Sequence, residues 1–259
     1  MRMRLSKSAL ITIVAISMWR PVPAAAVECG DVLELRGRRV VLDHDILDCD
    51  QPWSALTIIG PGAFDMNGHI LSCKSVFYQR GLVIEGVRAR VRSGVVAGCD
   101  QGVSVTGSKH RLENLVAHGN REAGFVIGTR ESTFRNNSAV DNAAMGFQED
   151  GRRNRFVRNV ATGSVDGFIV YSGESAYVGN TAVGNQYGFS SVYGTRQHYA
   201  NNTATANSVT GIVAHKATTC TFRGNTALGN GLDVSSRDDC KDYSWRGNLV
   251  GTANEGCVR

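Results

Sequence analysis

The chain lacks most of the short motifs that announce a reaction. Its seven cysteines form no C-x-x-C pair and its six histidines do not gather beside them, which argues against the usual zinc frameworks. No Met-rich or His-rich run offers soft ligands for copper. Beyond residue 26 there is no long apolar run, and so no candidate membrane span. A basic stripe is missing too. Arg152, Arg153, Arg155 and Arg158 cluster, but no further run follows them, and a nucleic-acid partner requires concentrated positive charge. These arginines read as solvated turn residues.

The formal charge of +5 comes from the start of the chain. Residues 1–26 read as a secretory signal peptide: Arg2, Arg4 and Lys7 open it, Ala9 to Trp19 form an apolar core, and Ala24, Ala25 and Ala26 provide a small-residue cleavage site. Val27 and Glu28 precede Cys29 where a lipid-anchored protein would have small residues, so a soluble product is expected. Four of the 28 basic residues, Arg2, Arg4, Lys7 and Arg20, lie in this leader, which leaves 24 against 23 acidic ones. All the cysteines lie after it, in a part destined for a compartment where disulfides form. Their spacing suggests Cys29 with Cys49, Cys73 with Cys99 and Cys240 with Cys257, leaving Cys220 over. A secreted or periplasmic location is expected.

What the chain has in abundance is repetition. From near Gly81 a pattern returns about every 22 residues. Glycines recur at Gly81, Gly102, Gly124, Gly146, Gly167, Gly188 and Gly211. Aromatics follow at Phe134, Phe156, Tyr177, Tyr199, Phe222 and Trp245, with asparagines three residues later at Asn137, Asn159, Asn180, Asn202, Asn225 and Asn248. Such a period makes each repeat one turn of a solenoid, unable to bury its apolar face alone. The residues after each glycine alternate with period two, as in Phe147 and Phe168, which puts one set inside a short strand and the other outside. The glycines are expected at bends with φ > 0, and the alanines Ala139, Ala161, Ala182, Ala204 and Ala227 at an inward corner. Aromatics and asparagines are expected to stack along the axis as scaffold. Residues 27–259 form one domain, with 27–73 an N-terminal cap and first coils and 232–259 a C-terminal cap.

The motif Asn-x-Ala-x-x-Asn followed by Gly-Phe stands at Asn137 to Asn142 before Gly146-Phe147, and at Asn180 to Asn185 before Gly188-Phe189. Asp65-Met66-Asn67-Gly68 provides an early-coil step. With these motifs the chain resembles the right-handed parallel β-helix superfamily, in the style of periplasmic NosD-type and pectin-lyase-like proteins. The resemblance implies an all-β, single-stranded right-handed solenoid that acts on acidic polysaccharides as a lyase, epimerase or hydrolase. The Asp-Pro-His-Glu quartet of alginate epimerases and the polygalacturonase motifs are absent. So is the calcium and arginine signature of pectate lyases, and no cofactor is expected. Asp238 and Asp239 sit beside Cys240 in the terminal cap, where a hydrolase pair would not be.

A site is expected on the outward stripe after the repeat glycines, since a solenoid binds extended ligands along a continuous face. Gln148, Asp150, Ser190, Tyr171, His215 and Lys216 stand out there. Lys216 could neutralise a uronate carboxylate, with His215 and Tyr171 as base and acid, and Gln148, Asp150 and Ser190 as ligand contacts. Glu149 falls on an inward position, where an unpaired carboxylate is costly. The strand is expected to end in the Glu149-Asp150-Gly151 turn; the alternative is a tether near Ser191. The leading expectation is recognition of an acidic polysaccharide, with lyase-like or epimerase-like processing. The competing one is a non-catalytic structural or interaction protein.

Overall fold

A computed structural model of the protein describes residues 26–74, 78–171, 173–236 and 243–254. The expected leader, apart from Ala26, lies outside the described residues, as do Asp238, Asp239, Cys240 and Cys257. Period-two patterning produces strands of mostly three to six residues, and the chain winds them into a three-faced parallel solenoid of ten coils. Ten strands, from Val32–Glu34 to Leu232–Ser236, stack as the glycine face. A second ladder, from Arg39–Val41 to Tyr243–Arg246, is the aromatic face. A third, from Ile46–Cys49 to Leu249–Val250, is the alanine face. The long strands Ala89–Ala97 and Arg111–His118 continue around the corner between the last two.

The register is that of the repeat. Phe125, Phe147, Phe168 and Phe189 are partners on successive coils of the glycine face, and their rings stack at 4.6, 4.7 and 4.8 Å. On the aromatic face Phe134, Phe156, Tyr177, Tyr199, Phe222 and Trp245 form a second column, with centroids 4.0–5.0 Å apart. Edge-to-face contacts at 6.4 Å join the columns at Phe168–Tyr177 and Phe189–Tyr199. Each stacked pair adds about 0.5–1.5 kcal/mol beyond the area it buries.

Two sequence expectations need a different physical reason. The glycines Gly102, Gly124, Gly146 and Gly167 do not adopt φ > 0. They are excluded from having a side chain by crowding: a Cβ would lie 2.6–2.8 Å from the carbonyl oxygen of the glycine one coil on. The small alanines are likewise not at a corner. Ala139, Ala161 and Ala182 sit mid-strand on the alanine face, fully buried, and a glycine Cβ would meet an alanine Cβ at 3.0–3.3 Å. The third face is therefore pressed directly against the first.

The corner between the aromatic and alanine faces bends through one left-handed residue per coil, such as Asn136, Arg158 and Asn201. The next residue is the ladder asparagine. Asn137, Asn159, Asn180, Asn202, Asn225 and Asn248 are linked Nδ2 to Oδ1 at 2.9–3.1 Å. Each of these Oδ1 atoms also accepts the backbone N–H one coil back, as from Asn159 to Asn180 at 2.9 Å. Each Nδ2 also donates to an aromatic-face carbonyl, as from Asn180 to Phe156 at 3.1 Å. The ladder satisfies backbone groups that the bend would otherwise bury unpaired. Cys29–Cys49 and Cys73–Cys99 are disulfide-bonded near the N-terminal end; Cys220 is free and buried.

Candidate functional site

The corner between the glycine and aromatic faces carries a groove of about 680 Å³. It crosses six coils, from Gly86 through Gly107, Gly128, Gly151 and Gly173 to Thr195, and so runs for about 24 Å along the axis. Glycines line its floor on five of the six coils, and at Gly107, Gly151 and Gly173 the neighbouring coil leaves no room for a side chain. At Gly107 φ is +94° and a Cβ would collide with the carbonyl of Gly86; at Gly151 it would collide with that of Thr129. The rim is charged. Arg130 and Arg152 are register partners on adjacent coils, both exposed, and neither forms an ion pair among the described residues. Beside them Glu174 holds Arg153 at 2.5 Å and also pairs with Arg196.

Glu149 overturns the expected early strand end. The strand Met145–Glu149 includes it, and its side chain lies inside the solenoid, 1% exposed. The tether is not Ser191. Oε1 accepts from Asn154 Nδ2 at 2.8 Å and from Ser175 Oγ at 2.6 Å, and Oε2 accepts a short hydrogen bond from Tyr177 Oη. Burial pushes its pKa up to about 7, against the three hydrogen bonds that favour the carboxylate.

The six site residues expected from sequence are only partly gathered. Gln148 Nε2 donates to Asp150 Oδ2 at 2.8 Å. Backbone pairing, with Tyr171 N donating to Glu149 O at 2.9 Å, sets Asp150 and Tyr171 on adjacent coils. His215 pairs with Val192, so Val192 separates it from Tyr171 by one coil. Lys216 turns at a left-handed residue and sets its Nζ 5.3 Å from the Tyr193 ring. Ser190 is buried and donates to Asp166 Oδ1 at 2.7 Å.

Asp166, Arg130 and Glu174 were not singled out as site residues from the sequence, and Arg152 was read there as a solvated turn arginine. Burial raises the pKa of Asp166, and burial, then Asp166 and Asp150, raise that of Tyr171. Arg130 and Arg152 stand 22 residues apart, the period of the repeat, so aligning the coils column by column is the signal that finds them. Among the described residues no cluster of three or more His, Cys, Asp or Glu side chains is placed to hold a metal.

Stacking also sorts charge by face. Outward positions of the glycine-face strands carry Glu34, Glu85 and Asp166 against Arg80 and Arg130, with Asp150 just past the end of its strand. Those of the aromatic face carry Arg39, Arg90, Arg92, Arg111, Arg135, Arg155, Arg223 and Arg246 against Asp65 and Glu113. The alanine face is uncharged across its middle and later coils, with Val160, Thr162, Thr181, Val183, Thr203 and Thr205 outward.

A family model described as right handed beta helix region matches residues 80–227, more than half of the 259 residues. No curated protein matches the sequence. Among solved structures, pectate lyase Pel9A is 20% identical at TM-score 0.59, with 90% of this chain and 70% of that one covered. Endopolygalacturonase I from Stereum purpureum, complexed with two galacturonate, is 18% identical at TM-score 0.60, with 88% of each chain covered. The A-module of the Azotobacter vinelandii mannuronan C-5 epimerase AlgE4 is 17% identical at TM-score 0.56, with 85% and 81% covered. At these identities the likeness is one of fold. With the stacked parallel coils, the family match settles the class: the chain belongs to the right-handed β-helix family.

Proposed function

We propose that the protein binds an extended acidic polysaccharide along the groove between the glycine and aromatic faces, in the periplasm or outside the cell. The observation that carries this reading is the pairing of a glycine-lined floor with Arg130 and Arg152 on its rim. A guanidinium presents a planar fork that matches a carboxylate, and two in register at about 4.8 Å suit a linear polymer. Asp150 and Asp166 on the middle coils of the glycine face oppose a polyanion there, which favours the corner beside Arg130 and Arg152 over that stretch of the face. Disulfides in the first coils fit an oxidising compartment. The polysaccharide-named neighbours are consistent with the reading.

Processing is a separate step of the proposal. Tyr171, flanked by Asp150 and Asp166, and His215 are the groups for proton transfer. The position of Val192 between Tyr171 and His215, and of Lys216 on Tyr193, favours binding without turnover within this reading. The test is titration with polygalacturonate and alginate, with ultraviolet absorbance recording any β-elimination. The Arg130→Ala/Arg152→Ala variant is expected to bind roughly tenfold or more weakly. Unchanged binding would sink the groove assignment. If turnover occurs, Tyr171→Ala and His215→Ala should abolish it and leave binding intact; activity retained in both removes these residues from the chemistry.

A further inference from the structure

The groove does not use the strongest charge asymmetry in the molecule. On the outer surface of the aromatic face, Asp65 is shared by Arg39 and Arg92 at 2.9 and 2.6 Å, and Glu113 takes Arg111 at 2.7 Å. Arg90, Arg135 and Arg155 have no ion-pair partner among the described residues and are exposed. Arg90 and Arg155 occupy the same column three coils apart, a rise of about 14 Å. Farther along, Arg223 and Arg246 are register partners beside a depression of about 750 Å³. Among the described residues no carboxylate stands at an outward strand position of this face beyond Glu113. The backbone of a parallel sheet fixes these side chains in columns, so positive charge collects in two stretches along the axis, from Arg90 to Arg155 and at Arg223 and Arg246. Ala176, Val178, His198 and Ala200 stand outward on the two coils between.

We propose that the outer surface of the aromatic face is a second polyanion-binding surface. It holds an acidic polysaccharide chain along the axis, from Arg90 past Arg135 and Arg155 to the depression at Arg223 and Arg246. The inference rests on the ligand chemistry proposed for the groove but concerns a different surface. Arginine favours this occupant because its fork accepts carboxylate or sulfate groups in bidentate fashion. Single-stranded nucleic acid fits less well, since it is held by stacking on aromatic side chains and the aromatic column here is turned inward and buried. The disulfides also suit a compartment of glycans. With two such surfaces, one molecule would engage two chains and link them.

The experiment is a calorimetric titration of the protein with size-selected alginate oligomers, at low and at physiological salt. Two sites per molecule are expected. The triple variant Arg90→Glu/Arg135→Glu/Arg155→Glu should retain one, and Arg130→Glu/Arg152→Glu should retain the other. All five positions are exposed, and an unchanged circular dichroism spectrum and melting temperature check folding. A single site lost only in the groove variant overturns this proposal and spares the groove. A single site lost only in the triple variant does the reverse. Absence of any binding overturns both. Tighter binding of single-stranded DNA than of alginate, lost in the triple variant, assigns the surface to a different partner and overturns the choice of occupant.

Discussion

Glu149 is the residue at which local pattern and tertiary environment conflict most. Its ordinary pKa of 4.5 rises to about 7 in the fold. Between those values the folded chain retains a proton that the unfolded chain has released. Stability therefore falls as pH rises from about 4.5 to about 7, and this contribution is constant outside that window. The shift corresponds to about 3 kcal/mol. Denaturant titrations at pH 5 and pH 8 should show this loss, and Glu149→Gln should flatten it. Tyr177→Phe removes a hydrogen bond that favours the carboxylate, so the upper edge of the window should move to higher pH. An unchanged profile in Glu149→Gln would mean that another group carries the dependence. The inward register of Glu149 was legible in the sequence. Its partners were not, because Ser175 and Tyr177 lie 26 and 28 residues away and meet it only when coils stack.

Among elements, the asparagine ladder and the glycine column make the sharpest claims. Asn180→Ala removes an amide that bonds Asn159, Asn202 and the Phe156 carbonyl, all buried. Leaving such groups unpaired costs about 3 kcal/mol. Asn248 ends the ladder and is partly exposed, so Asn248→Ala should cost about 1 kcal/mol, where water replaces the lost partner. Equal losses for the two, by urea denaturation, would contradict a role for burial. Gly146→Ala sets a Cβ 2.6 Å from Gly167 O and 3.0 Å from Ala161 Cβ; prying coils apart there should cost more than about 2 kcal/mol. The sequence placed both columns by their spacing, and named the asparagines as scaffold. It mistook the cause of the glycines, because a bend and a close approach leave the same residue in a sequence.

For the whole molecule, stability is distributed along one axis, since each coil touches mainly its neighbours. The disulfides Cys29–Cys49 and Cys73–Cys99 act at the N-terminal end only. Replacing Cys73 and Cys99 with serine should lower stability by about 3 kcal/mol. Hydrogen exchange should rise in the first coils and change little beyond Phe168. Uniform loss of protection would show that the solenoid unfolds as one unit instead.

The sequence by itself determined the coil. Period, strand alternation and the aromatic and asparagine columns all follow from residues spaced about 22 apart, because a coil that returns to the same phase must present the same residue types to the same slots. Only the tertiary structure decided where charge collects. Arg90 and Arg111 carry no mark in the sequence and Arg155 reads as one of a cluster of solvated turn arginines, yet stacking puts the three in one column. The physical reason is geometric: adjacent coils are about 4.8 Å apart, so residues a full repeat away in sequence become nearest neighbours in space.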